Sequence, residues 1–183
     1  LISEGGTFHD HAVTIARSPS VTGPYEGNPR NPILTHRHLG LAYPITNPGH
    51  ADLIQTKTGE WWMVALASRP YGGYYYSLGR ETFLARVKWE DGWPIVNPGR
   101  GCIESEQVAP DLQPCPVPSL PACDHFDTPT LAFCWNFIRT PRSDFWSLSQ
   151  RPGHLRLRLR PERLSDMANP SFVGQRQRHI DCA

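Results

Sequence analysis

The chain has 183 residues, with 18 Lys+Arg against 17 Asp+Glu and a net charge of +1, so it carries no basic field for gripping a phosphate backbone. No run of about 18 apolar residues occurs, which excludes a membrane-spanning helix of the usual kind. Pro (19) and Gly (15) are abundant, but 6 Trp, 6 Tyr and 7 Phe are too many for a disordered composition.

Leu1–Thr7 reads like the end of a strand, and Arg178–Ala183 stops without a turn or polar tail. Both ends look interior to a longer chain, so a fragment is expected, and the missing leader says nothing about location. Helical periodicity is nearly absent. Short apolar runs between Gly, Pro and Asn predict strands at Ala12–Ala16, Asp52–Thr56, Glu60–Leu66 and Thr82–Val87, with a hairpin turn at Thr58-Gly59. The expected fold class is all-β.

An internal echo narrows the architecture. Ile15-Ala16-Arg17, Gly23-Pro24-Tyr25 and Asn28-Pro29 return as Leu84-Ala85-Arg86, Gly92-Trp93-Pro94 and Asn97-Pro98, at a constant offset of 69 residues. Repeated units in an all-β chain point to propeller blades; chance similarity of two hairpins is the competing explanation. About two blades fit before residue 105, fewer than a closed propeller needs.

Pro110, Pro114, Pro116, Pro118 and Pro121 then mark an extended linker. Beyond it, His154–Arg160 alternates strictly between apolar and cationic residues, which predicts a strand with one face of each kind. Phe172–Gln177 is another strand candidate, and Trp135, Phe137, Phe145 and Trp146 supply bulk for a sandwich core. Cys102, Cys115, Cys123, Cys134 and Cys182 are odd in number and form no CxxC pair, so neither a disulfide framework nor a zinc site is expected.

Several residues could carry chemistry. Glu4 precedes Gly5-Gly6, which lets backbone or ligand approach its carboxylate; it reads as a general acid if burial raises its pKa, or as an ordinary turn residue. His9/His11 and His36/His38 have HxH spacing, but without a third ligand they read better as surface or hydrogen-bonded histidines. His50 follows a Gly turn and opens a strand, as a rim or a structural residue. Arg80 offers its donor fork to hydroxyls or carboxylates, unless it is occupied by Glu81, which alternatively pairs with Arg86. Tyr71, Tyr74, Tyr75 and Tyr76 form an aromatic loop, suited to sugar rings or simply packed over the sheet.

Glu4–Ser18, Gly23–Glu26, Asn31–Thr35, Gly49–Leu53, Gly59–Trp62, Leu78–Thr82 and Trp89–Pro94, in that order, resemble glycoside hydrolase family 43, above all its β-xylosidase and α-L-arabinofuranosidase branch. Past the linker, Asp124–Asp127, Cys134–Arg139, Trp146–Leu157 and Phe172–Gln177 resemble the start of that branch's C-terminal β-sandwich. The resemblance implies the C-terminal blades of a five-bladed propeller (1–109), a linker (110–123) and a partial sandwich (124–183). It implies inverting hydrolysis of xylosides or arabinosides by an Asp base, a Glu acid and a second Asp that tunes the acid. Glu4 matches the acid's motif, and Arg80, His50 and Phe8 are the implied substrate-binding positions. Both Asp roles belong upstream of Glu4; Asp10 and Asp52 match neither. Ser77 and Ser68 replace commoner Pro and Gly, which bears on substrate preference.

The expected partner is a xylo- or arabino-oligosaccharide, with no nucleic acid and no membrane. No cofactor or protein-bound metal is expected, beyond a water-bound calcium that the resemblance allows near His50. The competing reading is a non-catalytic carbohydrate-binding module.

Overall fold

The computed structural model describes residues 1–119, 121 and 123–177; Cys182 and the closing residues from Arg178 onward lie outside them. The described residues contain strands and turns and no helix. Their strand pairings are antiparallel, as the turn density predicts. None of them forms a helix long and apolar enough to cross a membrane. Two compact units divide the chain, Leu1–Pro114 and Cys115–Ala183.

In the first unit, β1 (Ile2–Glu4), β2 (Ala12–Thr14) and β5 (Leu34–Thr35) form a sheet in the order β1-β2-β5. The strand predicted over Ala12–Ala16 is interrupted at Ile15. The Asn31 side chain accepts from Ile15 N (3.0 Å) and donates to Ile15 O (2.9 Å), standing in for a neighbouring strand. The chain then resumes as β3 (Ala16–Arg17), which pairs with β4 (Glu26–Gly27).

The larger sheet is a four-stranded meander of β6 (Thr46–Gln55), β7 (Trp61–Ser68), β8 (Arg80–Glu90) and β9 (Trp93–Val96). β6 starts six residues before the predicted run, because Asn47-Pro48-Gly49-His50 is not a turn. It runs within the strand through two register irregularities, with φ of 57° at Asn47 and 49° at His50. β8 and β9 join through Asp91 (φ 53°) and Gly92 (φ 72°), the double left-handed pair of a tight hairpin.

Val13 and Leu34 from the first sheet join Met63, Ala65, Ala67, Ala85, Val87 and Val96 from the second, with Ile45 and Ile103, in one core. Ile103 lies after the last strand of the meander yet is fully buried. Its N–H donates to His36 Nε2 (2.9 Å) and its carbonyl accepts from the Tyr43 hydroxyl (2.8 Å).

The two echoing segments are both hairpins, but not superposable ones. Asn28 N bonds to Ile15 O, whereas Asn97 N bonds to Arg86 O, two residues further along than the repeat requires. The first loop is long and the second has two residues, which shifts the register. The hairpins touch: Arg17 Nη1 donates to the carbonyls of Asp91 (3.0 Å) and Gly92 (3.1 Å), and its guanidinium lies 4.0 Å from the Trp93 ring centre.

The second unit is sparser. β10 (Trp135–Asn136) pairs with β13 (Gly174–Gln175), and β11 (Trp146–Ser147) with β12 (Arg156–Leu157). Only two residues of the alternating His154–Arg160 run are strand, and Leu159 is 88% exposed. Its partner strand is too short, and Arg160 turns away to the Ser143 and Asn169 carbonyls. Of Phe172–Gln177, only Gly174–Gln175 is strand. Phe145 is buried, with Phe137 and Trp146 at ring distances of 5.7 and 5.2 Å; Trp135 instead packs on Phe126 at 5.4 Å.

Candidate active site

Glu4 ends β1 and is exposed. The chain then turns through Gly5 (φ 71°) and Gly6 (φ 68°), and a Cβ on Gly5 would lie 2.0 Å from the Asp10 carbonyl oxygen. The glycine therefore lets residues 5–10 fold back on themselves, closed by His11 N donating to Phe8 O (3.0 Å). Among the described residues, nothing buries the Glu4 carboxylate.

His50 sits at a kink inside β6, not at a strand opening, and its imidazole is exposed. Its backbone N–H donates to Ser3 Oγ (2.8 Å), which ties β6 to β1 one residue before Glu4. Three residues upstream, the Asn47 carbonyl accepts from His11 Nδ1 (3.0 Å). His11 is buried, and its ring lies so close to Gly49 that a Cβ there would come within 2.1 Å of Nε2.

Arg80 opens β8 opposite Ser68, which in turn faces Thr46, so these three form one row across the meander. Glu81 pairs with Arg69, a partner the sequence reading does not offer. Successive strand residues point to opposite faces, and Glu81 meets Arg69 through two bonds of 2.9 and 2.8 Å. That carboxylate raises the Arg69 pKa above its ordinary value. Arg86 pairs with Glu60 at 3.1 Å.

The histidine pairs diverge. His36 is buried and accepts from Ile103 N at Nε2, so Nδ1 carries the proton and donates to Ile45 O (2.7 Å). Burial lowers its pKa, outweighing the opposing Ile45 bond. His38 is exposed, while His9 lies against Tyr74 with ring centres 4.0 Å apart. Among the described residues, no three His, Cys, Asp or Glu side chains gather as a metal site.

The Tyr71–Tyr76 loop is pinned by Tyr71 N donating to Tyr75 O (2.9 Å) and Gly79 N donating to Tyr76 O (2.9 Å). Phe8 meets Tyr74 and Tyr76 at 6.5 and 6.3 Å. The structure thus joins His50 to the neighbour of Glu4, and Phe8 to the loop that leads into Arg80. An exposed carboxylate, an imidazole and a guanidinium on these strands offer acceptors and donors for hydroxyl groups.

Sequence reasoning missed Ser3 and Asn47, and it read His11 only as a surface or hydrogen-bonded histidine, of which the second holds. His11 directly precedes the buried β2 run, a position that marks it as interior. Nothing in the pattern distinguishes Ser3 or the left-handed Asn47.

Residues 1–94 match the family model "Glycosyl hydrolases family 43", and residues 123–183 match "Beta xylosidase C-terminal Concanavalin A-like domain". The chain is 47% identical over 97% of its length to a protein named xylosidase/arabinosidase from Butyrivibrio fibrisolvens, covering 35% of that protein. It is 44% identical over 97% of its length to the non-reducing end α-L-arabinofuranosidase BoGH43B of Bacteroides ovatus, covering 33% of it. A crystal structure of xylan β-1,4-xylosidase from Bacillus halodurans superposes with a TM-score of 0.89 at 42% identity, over 96% of this chain and 34% of that one. The chain spans about a third of the length of the curated relatives it matches. With one model matching just over half of it, and the second in the same order, the chain belongs to glycosyl hydrolases family 43.

Proposed function

We propose that this chain supplies part of the sugar site of an inverting glycosidase that removes xylosyl or arabinofuranosyl units from the non-reducing ends of xylan-derived oligosaccharides. The reading is carried by the two family models in tandem, together with relatives named for xylosidase and arabinosidase activity. On this reading the β6–β9 meander is one blade of a five-bladed propeller, the segment 1–109 is propeller, 110–123 linker and 124–183 sandwich. Arg80, His50 and Phe8 contact the sugar, and the Asp base lies outside this chain.

Glu4 is the proton donor on the motif resemblance. The competing role is a carboxylate that positions a sugar hydroxyl. Leaving-group dependence separates the two. In the longer protein containing this chain, Glu4→Gln lowers the rate on aryl glycosides by about 10²–10⁴-fold if Glu4 is the acid, most for poor leaving groups. An equal loss across leaving groups assigns the positioning role, and no loss removes Glu4 from the site. The anomer first formed, followed by NMR, tests inversion, which needs carboxylates about 6.5–9.5 Å apart.

A calcium ion requires several oxygen ligands. His50 offers a nitrogen, and no carboxylate cluster gathers among the described residues, so these residues do not fit a directly held ion and no step passes through one.

A further inference from the structure

The second unit carries a cationic strand face that the glycosidase reading does not use. Arg156 and Arg158 are two residues apart in an extended run, so they share a face at a spacing of about 7 Å. Arg156 stands opposite Ser147 in the β11–β12 pair, and Arg158 continues the ladder by donating its backbone N–H to Phe145 O (2.7 Å). Arg160, next on that face, is occupied by the Ser143 and Asn169 carbonyls and lies over the Phe145 ring at 5.0 Å. No hydrogen bond or ion pair among the described residues engages the Arg156 or Arg158 guanidinium. Both side chains, with Ser147 and Gln150, line a cavity of about 430 Å³, to which Trp146 and Leu159 add apolar wall. No Asp or Glu lines it, so no carboxylate of the cavity neutralises the pair.

We propose that Arg156 and Arg158 bind the carboxylate of an acidic sugar, a uronosyl group carried as a branch on the polysaccharide. A guanidinium presents a planar fork that meets a carboxylate through parallel bonds, and two forks on one face can take both of its oxygens. The Ser147 hydroxyl and the Gln150 amide line the same cavity and can address the hydroxyl groups of the sugar. A bare phosphate or sulfate would use the two guanidinium groups alone; the hydroxyl, the amide and the apolar wall favour a sugar ring bearing the anion. The unit then holds the enzyme on acid-decorated chains in preference to neutral ones. The choice of xylan as the polymer rests on the glycosidase reading above, whereas the carboxylate chemistry does not.

The test uses the longer protein containing this chain, run by affinity electrophoresis through gels holding glucuronoxylan, neutral arabinoxylan or no polysaccharide. Wild type should be retarded more by glucuronoxylan than by arabinoxylan. Arg156→Gln and Arg158→Gln should each weaken the apparent affinity for glucuronoxylan about three- to tenfold and leave that for arabinoxylan unchanged. Free D-glucuronate should release the protein from the glucuronoxylan gel, and D-glucose at the same concentration should not. Equal retardation of wild type by the two polymers overturns the site, as does an undiminished preference for glucuronoxylan in both variants. Inorganic phosphate that releases the protein as well as D-glucuronate does assigns the pair to anions in general and also overturns it. Should the longer protein cleave no xyloside or arabinoside, the glycosidase reading fails, and calorimetric titration with D-glucuronate decides the site: weaker binding in the two variants upholds it, and equal or absent binding overturns it.

Discussion

Gly49 shows how one missing side chain sets a local arrangement. Its φ is not in the left-handed region, so the need for glycine is steric: His11 occupies the place of a Cβ and holds the Asn47 carbonyl beside it. Gly49→Ala should destabilise the protein by about 3 kcal/mol, the upper end of typical overpacking, as read by denaturant unfolding. A Gly49→Ala/His11→Ser double variant should recover part of the loss, giving a non-additive cycle. His36 gives a pH signature. Its folded pKa is lowered by burial, so the unfolded chain binds the extra proton first. The stabilisation is complete above about pH 6.5 and is lost as the pH falls through the lowered folded value. His36→Gln should remove this acid-side dependence and cost about 1–3 kcal/mol at neutral pH, through the bonds to Ile45 and Ile103.

Elements were legible where side chains alternate and hidden where a side chain replaces a strand. Glu60–Leu66 falls inside β7 except for its first residue, and Thr82–Val87 falls wholly inside β8. The break at Ile15 is invisible in an apolar run, because it is made by Asn31 from a distant segment. Asn31→Ala should cost about 1–3 kcal/mol in thermal or denaturant unfolding, since Ile15 N loses its partner and Ile15 O keeps only the Asn28 N–H. β6 failed in the opposite direction: Asn-Pro-Gly is ordinarily punctuation, and only packing against His11 draws it into a strand. The same limit applies to the site. Glu4, His50 and Arg80 stand out beside glycines, but the Ser3 link that joins His50 to β1 depends on a pairing that no local pattern encodes.

At the scale of the molecule, the second unit rests on a thinner core and on exposed polar contacts. Asp124 accepts from Trp135 Nε1 (2.7 Å) and from Phe126 N (2.8 Å), and the indole bond, followed by the backbone bond, lowers its pKa. This contribution is present above the ordinary carboxylate range and is lost as the pH falls through the lowered folded value. Trp135 fluorescence should report release on acidification below about pH 4, and Asp124→Asn should abolish that transition. On the proposed reading, the 183-residue chain by itself lacks the base and should hydrolyse aryl glycosides at least about 10²–10⁴-fold more slowly than the longer protein, in matched assays. The clasp between the echoing hairpins has a consequence of another kind. Arg17 grips the carbonyls of Asp91 and Gly92, and a Cβ on Gly92 would come within 2.5 Å of its guanidinium. Its grip therefore reads the path of the backbone and is blind to the Asp91 side chain. Over evolutionary time, position 91 is free to drift among residues that accept a left-handed turn, while a single insertion there would unfasten one hairpin from the other.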